Sequence, residues 1–582
     1  MKKLSSLLLV LSLLLSLLSG CGGQNASTDT ESIAASEVSE AVSVAPAPAS
    51  VPAAPEEDGS EPSVSTLETA ASSYTPVDYP LPLFDETAEI SLFYVLRGAM
   101  GGGYTPSKDS EESVFWARLQ EQLNVDLVFT EPSEAAASEQ YNLMIAGGDM
   151  TDLICENNLA EMGAVSAYNG GYDKAIADDV YLDLMDYLDY APNYACYIMN
   201  DPENYKTAVT DEGHLPAFYQ IYSEPALNNM GEIVNSDMLE ATGLAMPDTV
   251  SGWLEVYEKM ANNGVKYPME VTYTGAIMQG MFTSAIGATL DTTILIDNAT
   301  GELVLGVISD ETRSYIEMFM DCNKKGWMNP DWINAPMMDF SAFNAQETAT
   351  RNAMANEIST YYDYYGVSVE AAPIVHREGF GDKETAINAA TQATVTTMGS
   401  MVVTTDCRDL EQTMRFMDWF YSKEGADCAN FGFVEGEVYD VVDGEKQINS
   451  HYEERNETNV QMKNIYTDDG DFGLVYPNLR YAVADAPAKN AYDLWATGDS
   501  TESAIYTSLP STVALTSEES EAVITHLGDL GTYIETTVST WMCLGAELTD
   551  ESWNEFVTTC QGFQLDEILS AYTAAYQRYL DK

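Results

Sequence analysis

After residue 80, the spacing of hydrophobic positions alternates repeatedly between that of a strand and that of a helix. Runs rich in aromatic and β-branched residues, typical of buried strands, alternate with stretches whose apolar residues recur at helical spacing. In chain order this predicts strand Glu89–Leu96, helix Val114–Leu123, strand Val125–Phe129, helix Glu139–Ile145 and strand Asp152–Cys155. The alternation indicates an α/β domain with a mainly parallel sheet, in which ligands bind beyond the carboxyl ends of the strands.

The same alternation continues to the C-terminus. Thr249, with Pro247 and Asp248 before it, forms a helix start signal. The further predicted elements are strands Gly231–Val234, Glu302–Val307 and Thr394–Thr404, helices Ser236–Thr242, Val250–Met260, Glu311–Lys325, Glu411–Tyr421 and Glu424–Asn430, and two helices within Glu551–Leu580. Roughly 500 residues with this pattern can bury more than one core.

The N-terminal residues have the pattern of a secretory signal. Two lysines, the second of them Lys3, precede the apolar run Leu7–Leu18, and two small residues then lead into Cys21. Leu18–Cys21 resembles the lipobox of bacterial lipoproteins, in which the cysteine is lipidated and becomes the new N-terminus. We therefore expect residues 1–20 to be a signal peptide and Cys21 to carry lipid. The alternative is an ordinary signal peptide with a cysteine near its cleavage site.

Residues 21–79 are predicted to be a lipidated disordered tether. The segment is rich in Ala, Ser, Pro, Glu and Val and has almost no large side chains before Tyr74, so it cannot bury enough apolar surface to offset the entropy of ordering. As a flexible coil it would span roughly 40 Å, enough to reach a partner in the membrane.

Composition excludes some classes of function. The net charge of −67 leaves no basic surface to pair with phosphates, so no nucleic-acid partner is expected. The seven cysteines after Cys21 show neither a CxxC pair nor a zinc-like spacing. We expect most of them to be buried thiols, and a Cys407–Cys428 or Cys543–Cys560 bridge stays open.

Catalytic and metal-binding motifs are absent. The chain has no HExxH, GxSxG or Walker sequence, and none of its four histidines neighbours an obvious nucleophile. With 92 acidic residues, chance carboxylate pairs are uninformative. The acidic run Asp468–Asp471 lacks EF-hand spacing and is interpreted as a turn. We therefore expect no catalytic residues, no cofactor and no metal.

Several motifs together resemble the large lipoprotein subgroup of family 1 extracellular solute-binding proteins, the sugar-capturing subunits of ABC importers. The most specific is Asn142–Ile154, similar to the family's NLMxASGDxPDII segment, and Gly432–Tyr439 is similar to its YGxEGxxY signature. The chain departs from these motifs at Thr151 and Phe431, so ligand identity does not carry over. The other matching stretches are Phe115–Leu119, Val125–Leu127, Asp178–Leu188, Ala191–Tyr194, Ser236–Tyr257, Gly301–Gly326 and Met328–Asp331.

The resemblance, which spans Ile90–Tyr579, implies a type II periplasmic-binding-protein fold. Two α/β lobes would be joined by hinge strands near Phe218–Tyr222, near Ala393–Thr397 and after Tyr439. Lobe one would comprise residues 80–219 and 395–430, and lobe two residues 220–394 and 431–582.

The function implied is capture of a carbohydrate, in oligosaccharide form, for an ABC permease. The protein would be a lipid-anchored monomer at the extracytoplasmic face of the cell membrane. Two alternatives stay open: a surface glycoside hydrolase or polysaccharide lyase, and the ligand-binding component of a membrane sensor.

Sugar sites combine flat aromatic faces with planar polar groups for the hydroxyls. Candidates are residues of these types at strand ends, loops and hinges, although any one of the 35 tyrosines can equally be a core residue. The cluster Tyr361–Tyr365 is the sharpest aromatic feature, because its tyrosines cannot all face one core. The predicted ligand-binding residues are Tyr94, Arg97, Asp149, Tyr168, Asn169, Tyr222, Tyr273, Tyr362, Tyr364 and Glu435.

Overall fold

The fold was analysed in a computed structural model. It describes residues 74–582 apart from 96–105, 111, 157–158, 160–165, 272–281, 335–340, 359–360, 362–365, 382–383, 389–393, 452–453, 456–458, 469–472, 480, 482–483, 497–503 and 511. The predicted signal peptide, the lipidation site Cys21 and the tether up to residue 73 lie outside the described residues. No helix among those described combines the length and apolar character needed to cross a membrane.

Strands are distributed along the whole described chain. They are β1 Ala88–Phe93, β2 Val125–Thr130, β3 Leu153–Cys155, β4 Phe218–Tyr222, β5 Met230–Asn235, β6 Ile294–Asp297, β7 Leu303–Leu305, β8 Thr350–Met354, β9 Val369–Ala371, β10 Ile387–Asn388, β11 Val395–Val403, β12 Tyr439–Val442, β13 Glu445–Ile448, β14 Leu474–Val475 and β15 Tyr506–Ser508.

Helices separate most of these strands, and the longest are near the C-terminus. They are α1 Val114–Leu123, α2 Glu134–Gly147, α3 Gly171–Ala177, α4 Pro192–Met199, α5 Pro202–Ala208, α6 Ser236–Glu240, α7 Val250–Asn262, α8 Thr283–Ile286, α9 Asp310–Lys324, α10 Ser341–Asn344, α11 Leu410–Trp419, α12 Lys423–Phe431, α13 Asn459–Tyr466, α14 Ala486–Trp495, α15 Ser517–Met542, α16 Asp550–Gly562 and α17 Leu565–Asp581. Short 3-10 turns occur at Leu184–Tyr190, Gly306–Ile308, Trp332–Asn334 and Ala355–Glu357.

The first lobe is built on a six-stranded sheet with the order β14-β4-β11-β3-β1-β2. Only β11 runs against its neighbours; the β1–β2, β1–β3 and β4–β14 pairs are parallel. Helix α1 packs Phe115, Trp116 and Leu119 against this sheet, and all three are fully buried. Asn124 ends α1 in the left-handed conformation that Asn tolerates, and β2 begins at the next residue. The predicted mainly parallel α/β domain is thus confirmed.

The second lobe has its own core. Strand β5 lies between β8 and β9, both antiparallel to it, and a second sheet has the order β10-β15-β6-β7. Neighbouring residues of a strand face opposite sides. Val234 accordingly joins the main second core with α7, α9 and α15, while Ile233 joins a smaller cluster with Trp495. Thr249 caps α7 by accepting a hydrogen bond from the Gly252 amide at 3.3 Å, as the sequence predicted.

The boundary predicted at residue 430 ends the first lobe too early. Leu474 is buried in the first core, and its strand pairs with β4. Phe433 stacks on Phe115 with ring centroids 5.4 Å apart. The intervening segment packs on the first lobe because these aromatic and sheet contacts hold it there, so the last crossing to the second lobe follows residue 475.

The tether boundary at residue 79 also differs. Residues 74–79 form a strap on the first lobe: Asn200 donates to the Tyr74 carbonyl at 3.0 Å, and Asn193 exchanges hydrogen bonds with the Val77 backbone at 2.8 and 3.1 Å. The Tyr79 hydroxyl donates to buried Asp418 at 2.5 Å. A segment whose backbone and side chains are bonded in this way belongs to the folded body.

Candidate functional site

The carboxyl ends of the parallel strands in the first lobe meet at one edge of the sheet. Tyr94 follows β1, Glu131 follows β2, Glu156 follows β3, and Tyr222 ends β4. Strand β11, which runs the opposite way, begins at this edge with Val395. The chain therefore crosses between lobes at the edge where α/β sheets bind ligands.

Glu156 is the centre of a buried polar network at this edge. Its Oε1 accepts hydrogen bonds from the Tyr181 hydroxyl at 2.8 Å, the Ser166 hydroxyl at 3.1 Å and the Ala167 amide at 3.2 Å. The Tyr181 hydroxyl is in turn hydrogen-bonded to Tyr141 of α2. One carboxylate oxygen thus holds together the end of β3, the loop before α3 and the residues after α3.

The second oxygen of the carboxyl group makes no hydrogen bond within the part of the chain that the structure describes. Glu156 Oε2 and the hydroxyl of Tyr172 are both buried, and neither has a hydrogen-bond partner among the described residues. The backbone amide of Glu156 donates to the Ser400 carbonyl at 3.0 Å. Ser400 lies in an irregular stretch of β11. Thr396 pairs with Gln220 of β4 and Met401 with Phe218, so β11 advances five residues where β4 advances two. Such bulges are frequent beside binding sites.

Burial dominates the electrostatics of this network. It raises the pKa of Glu156, although hydrogen bonds from Tyr181, Ser166 and the Ala167 amide oppose the shift. Burial and the nearby Glu156 charge also raise the pKa of Tyr172 and Tyr181 well above their usual range. The phenols therefore stay neutral, and a proton on Glu156 makes the whole network neutral.

Two amide side chains fix the crossing strands at this edge. Asn204 of α5 is buried, and its Oδ1 accepts from the amides of Thr394 at 2.9 Å and Val395 at 3.2 Å. Gln220 of β4, also buried, accepts a hydrogen bond from the Thr396 hydroxyl at 3.0 Å. The start of the second crossing is thus held by the first lobe.

Three of the predicted ligand residues lie at or beside this edge. Tyr168 is half-buried beside Tyr181, its hydroxyl donates to Asp178 at 2.7 Å, and Asn169 next to it is exposed. Tyr222, at the end of β4, is half-buried. The loop that carries Tyr168 and Asn169 is the one that Glu156 holds through Ser166 and Ala167.

Three other predicted ligand residues lie in the core or away from this edge. Tyr94 is only 4% exposed, and the ammonium group of Lys108 lies 4.9 Å from its ring centroid, so its ring is part of the core. Asp149 is exposed but precedes β3, which places it at the opposite edge of the sheet from Glu156. Glu435 lies on an exposed turn before β12, where it accepts from the Val441 amide at 3.3 Å.

The remaining predicted ligand residues, Arg97, Tyr273, Tyr362 and Tyr364, lie outside the described residues. Their neighbour Tyr361 is described and is 4% exposed. Its hydroxyl accepts from buried Arg351, whose guanidinium also pairs with Glu357 at 2.9 Å. At least this member of the tyrosine cluster is a core residue of the second lobe.

One group of side chains has donors suited to a metal ion. Asp173, Glu212 and His214 each place a nitrogen or oxygen atom within 4.8 Å of the other two. Carboxylate and imidazole ligands suit several divalent metals. However, His214 Nδ1 and Asp173 Oδ1 already pair with each other at 2.9 Å. The arrangement is therefore accounted for as a hydrogen-bonded pair near α3.

The sequence prediction missed Glu156, Tyr172 and Tyr181. A signal for the first was present, because a carboxylate follows directly on the apolar strand β3 at the edge where ligands bind. Nothing in the spacing indicates the two tyrosines, since they reach Glu156 only after α3 packs on the sheet.

Comparison with known proteins places the chain by fold. No protein-family profile and no curated protein matches the sequence. Solved structures do match: an HMO-binding ABC-transporter-associated solute-binding protein from Bifidobacterium longum infantis has a TM-score of 0.64 at 15% identity. The match covers 85% of this chain and 99% of that one.

Two further structures match over the same extent. They are the Streptococcus pneumoniae ABC-transporter substrate-binding protein FusA in complex with kestose, at 17% identity, and the alginate-binding protein AlgQ2, at 16%. Both have a TM-score of 0.62, and each match covers 85% of this chain and 99% of the other. The chain thus has the two-lobed α/β fold of extracellular solute-binding proteins, as the resemblance implied.

Proposed function

We propose that this protein is a lipid-anchored solute-binding protein that captures a carbohydrate, in oligosaccharide form, and delivers it to an ABC importer. One observation carries the proposal: the fold shared with sugar-binding proteins over 85% of the chain places a buried polar network at the edge where the chain crosses between lobes. Sugar hydroxyls need such polar groups, and Tyr168 and Tyr222 add aromatic surface beside them.

The proposed mechanism is lobe closure, in which no bond is made or broken. Each lobe has its own apolar core. Asn478 links two crossings by accepting from the Leu227 amide at 2.8 Å and donating to the Pro225 carbonyl at 3.0 Å. A ligand that contacts both lobes favours the closed state in proportion to its higher affinity for that state.

The test is a panel of kestose, an alginate oligosaccharide and neutral glucose and mannose oligomers, with melting temperature and product formation measured together. A bound sugar at one hundred times its Kd stabilises the folded state by about 2.7 kcal/mol, which raises the melting temperature measurably. A rise without new product supports the proposal. Turnover would identify a glycoside hydrolase or polysaccharide lyase, and neither effect with any sugar would overturn the carbohydrate assignment.

The lipid anchor on Cys21 and the partnership with an ABC importer are tested in cells. Acyl chains on Cys21, at about 0.8 kcal/mol per buried CH₂, would keep the protein with the membrane, whereas a Cys21→Ser variant would be released to the medium. Loss of the protein should also abolish uptake of the sugar that raises its melting temperature. Unchanged uptake together with a lost transcriptional response to that sugar would instead indicate a sensor component.

A further inference from the structure

Glu156 lies beneath the loop that carries Tyr168 and Asn169. The Ser166 hydroxyl and the Ala167 amide both point down to its Oε1, at 3.1 and 3.2 Å. Ser166 also accepts a hydrogen bond from the Tyr168 amide at 3.1 Å. The position of Tyr168 therefore depends on a carboxyl group that is itself 4% exposed.

The groups around this carboxyl group do not compensate a negative charge. Within the described part of the chain, the titratable side chains that face it are phenols: Tyr141 from α2, Tyr172 from α3, Tyr181 after α3 and Tyr219 from β4. Lys174 of α3 is paired with Asp178 at 2.6 Å. A buried carboxylate without a cationic partner favours any rearrangement that hydrates it.

We propose that Glu156 is a positioning residue of the candidate ligand site, and that its charge state decides whether the loop Ser166–Tyr168 stays docked on the end of β3. The neutral acid keeps the loop docked, and the carboxylate releases it. The proposal rests on the proposed function only for the statement that this loop contacts ligand.

The sign of the pH dependence follows from burial. Because the docked state raises the pKa of Glu156, that state binds a proton more tightly than the undocked state does. Docking is therefore favoured at low pH and weakens as the pH rises through the raised pKa. The glutamine of Glu156→Gln stays neutral, keeps Oε1 as an acceptor, and brings an NH₂ group that can donate to the Tyr172 hydroxyl.

The direct test is hydrogen exchange of the Ala167 and Tyr168 amides in the ligand-free protein, corrected for the intrinsic rate, from about pH 5 to about pH 8. Wild-type protection should fall about tenfold over this range, and in Glu156→Gln it should stay high and constant. Glu156→Ala should lose it at every pH. Ser166→Ala, which leaves β3 intact, should lower protection of Tyr168 even if Glu156→Ala fails to fold.

Matched controls are Asp418→Asn and Glu232→Gln. Each neutralises another buried carboxyl group whose pKa is raised, to about 6 in the first lobe and about 7 in the second. Both should keep the wild-type pH dependence of the loop. A Glu156→Gln protein with that same dependence would overturn the inference. Because no sugar is present, this result is independent of the carbohydrate panel, in which failure of every sugar would concern the proposed function alone.

Discussion

Arg578, in the last helix of the second lobe, donates a hydrogen bond from Nε to Asp211 of the first lobe at 2.7 Å. The same guanidinium pairs with Glu519 of α15 at 2.8 and 2.7 Å. Lys582 adds a contact to Asp211 at 2.9 Å and donates to the Val209 carbonyl at 2.7 Å. This cluster fastens the C-terminus of the second lobe to the first, away from the strands that join them.

Removing the contacts of Arg578 should shift the equilibrium between open and closed lobes. Partly exposed ion pairs contribute up to about 1 kcal/mol each, so Arg578→Gln should shift the open–closed equilibrium about fivefold. Small-angle scattering of the ligand-free protein should give a larger radius of gyration for the variant, and high salt should bring the wild type towards it. Arg313→Gln is the matched control, because Arg313 pairs with Glu317 and Asp550 within the second lobe. Identical scattering of both variants and the wild type would contradict this role.

Asp418 should make the protein less stable as the pH rises through the mildly acidic range. Burial raises its pKa from 3.8 to about 6, although hydrogen bonds from Tyr194, Tyr79 and Asn193 oppose the shift. The folded state therefore holds a proton that the unfolded state has lost. At about 1.4 kcal/mol per pKa unit, roughly 3 kcal/mol of stability is present below pH 4 and lost by pH 6. Melting temperatures of Asp418→Asn should lack this loss, and parallel curves for the two proteins would refute the assignment.

Asp152 should make the protein less stable as the pH falls, which is the opposite of the effect of Asp418. Burial alone would raise its pKa, but hydrogen bonds from Arg408 and Ser91 hold it at about 2. Stability of about 2 kcal/mol is therefore present above pH 4 and lost as the pH falls towards 2. Asp152→Asn should lower the melting temperature at neutral pH and flatten the acid limb of the curve. Asp406→Asn, which neutralises the exposed carboxyl group that accepts from the Met150 amide, should do neither.

Asn204 should control the order of the second crossing. Replacing it with alanine leaves the part-buried amide of Thr394 and the buried amide of Val395 without this acceptor, at up to about 1–3 kcal/mol for each such group. Hydrogen exchange at these two amides should become faster in Asn204→Ala. Asn200→Ala removes a single exposed bond to Tyr74 and should leave the crossing unchanged. Equal exchange in both variants would show that another contact holds the crossing.

The sequence pattern was sufficient to predict the bounds of a helix whose apolar residues form a continuous stripe on one face. Helix α1 has the predicted bounds, Val114–Leu123, because its apolar residues lie on one face and Asn124 ends it. Helix α2 begins at Glu134, five residues before the prediction, since only Ala137 and Tyr141 of that helix are buried and the rest is polar or small. The lobe boundary at 430 failed for another reason: the contacts of Phe433 and Leu474 join residues far apart in sequence.

The candidate site was less predictable than the fold. Sequence predicted Tyr168 and Asn169 as ligand residues, and the structure places their loop at the ligand-binding edge of the sheet, because residues at strand ends of an α/β sheet share one edge. It also predicted that Tyr94 binds ligand, whereas Tyr94 is a core residue, as is Tyr361 of the tyrosine cluster. Whether a tyrosine faces ligand or core depends on which side chain covers it. For Tyr94 that side chain is Lys108, which no periodicity indicates.

The strap formed by residues 74–79 has a mechanical consequence. A pull along the chain from its N-terminal side first reaches the Tyr74 carbonyl, bonded to Asn200, and then Val77, bonded to Asn193 of α4. Tyr79, bonded to Asp418 of α11, follows. All of these belong to the first lobe, so the load does not cross the hinge. Tension applied from the N-terminal side would therefore load the first lobe and not the strands that join it to the second.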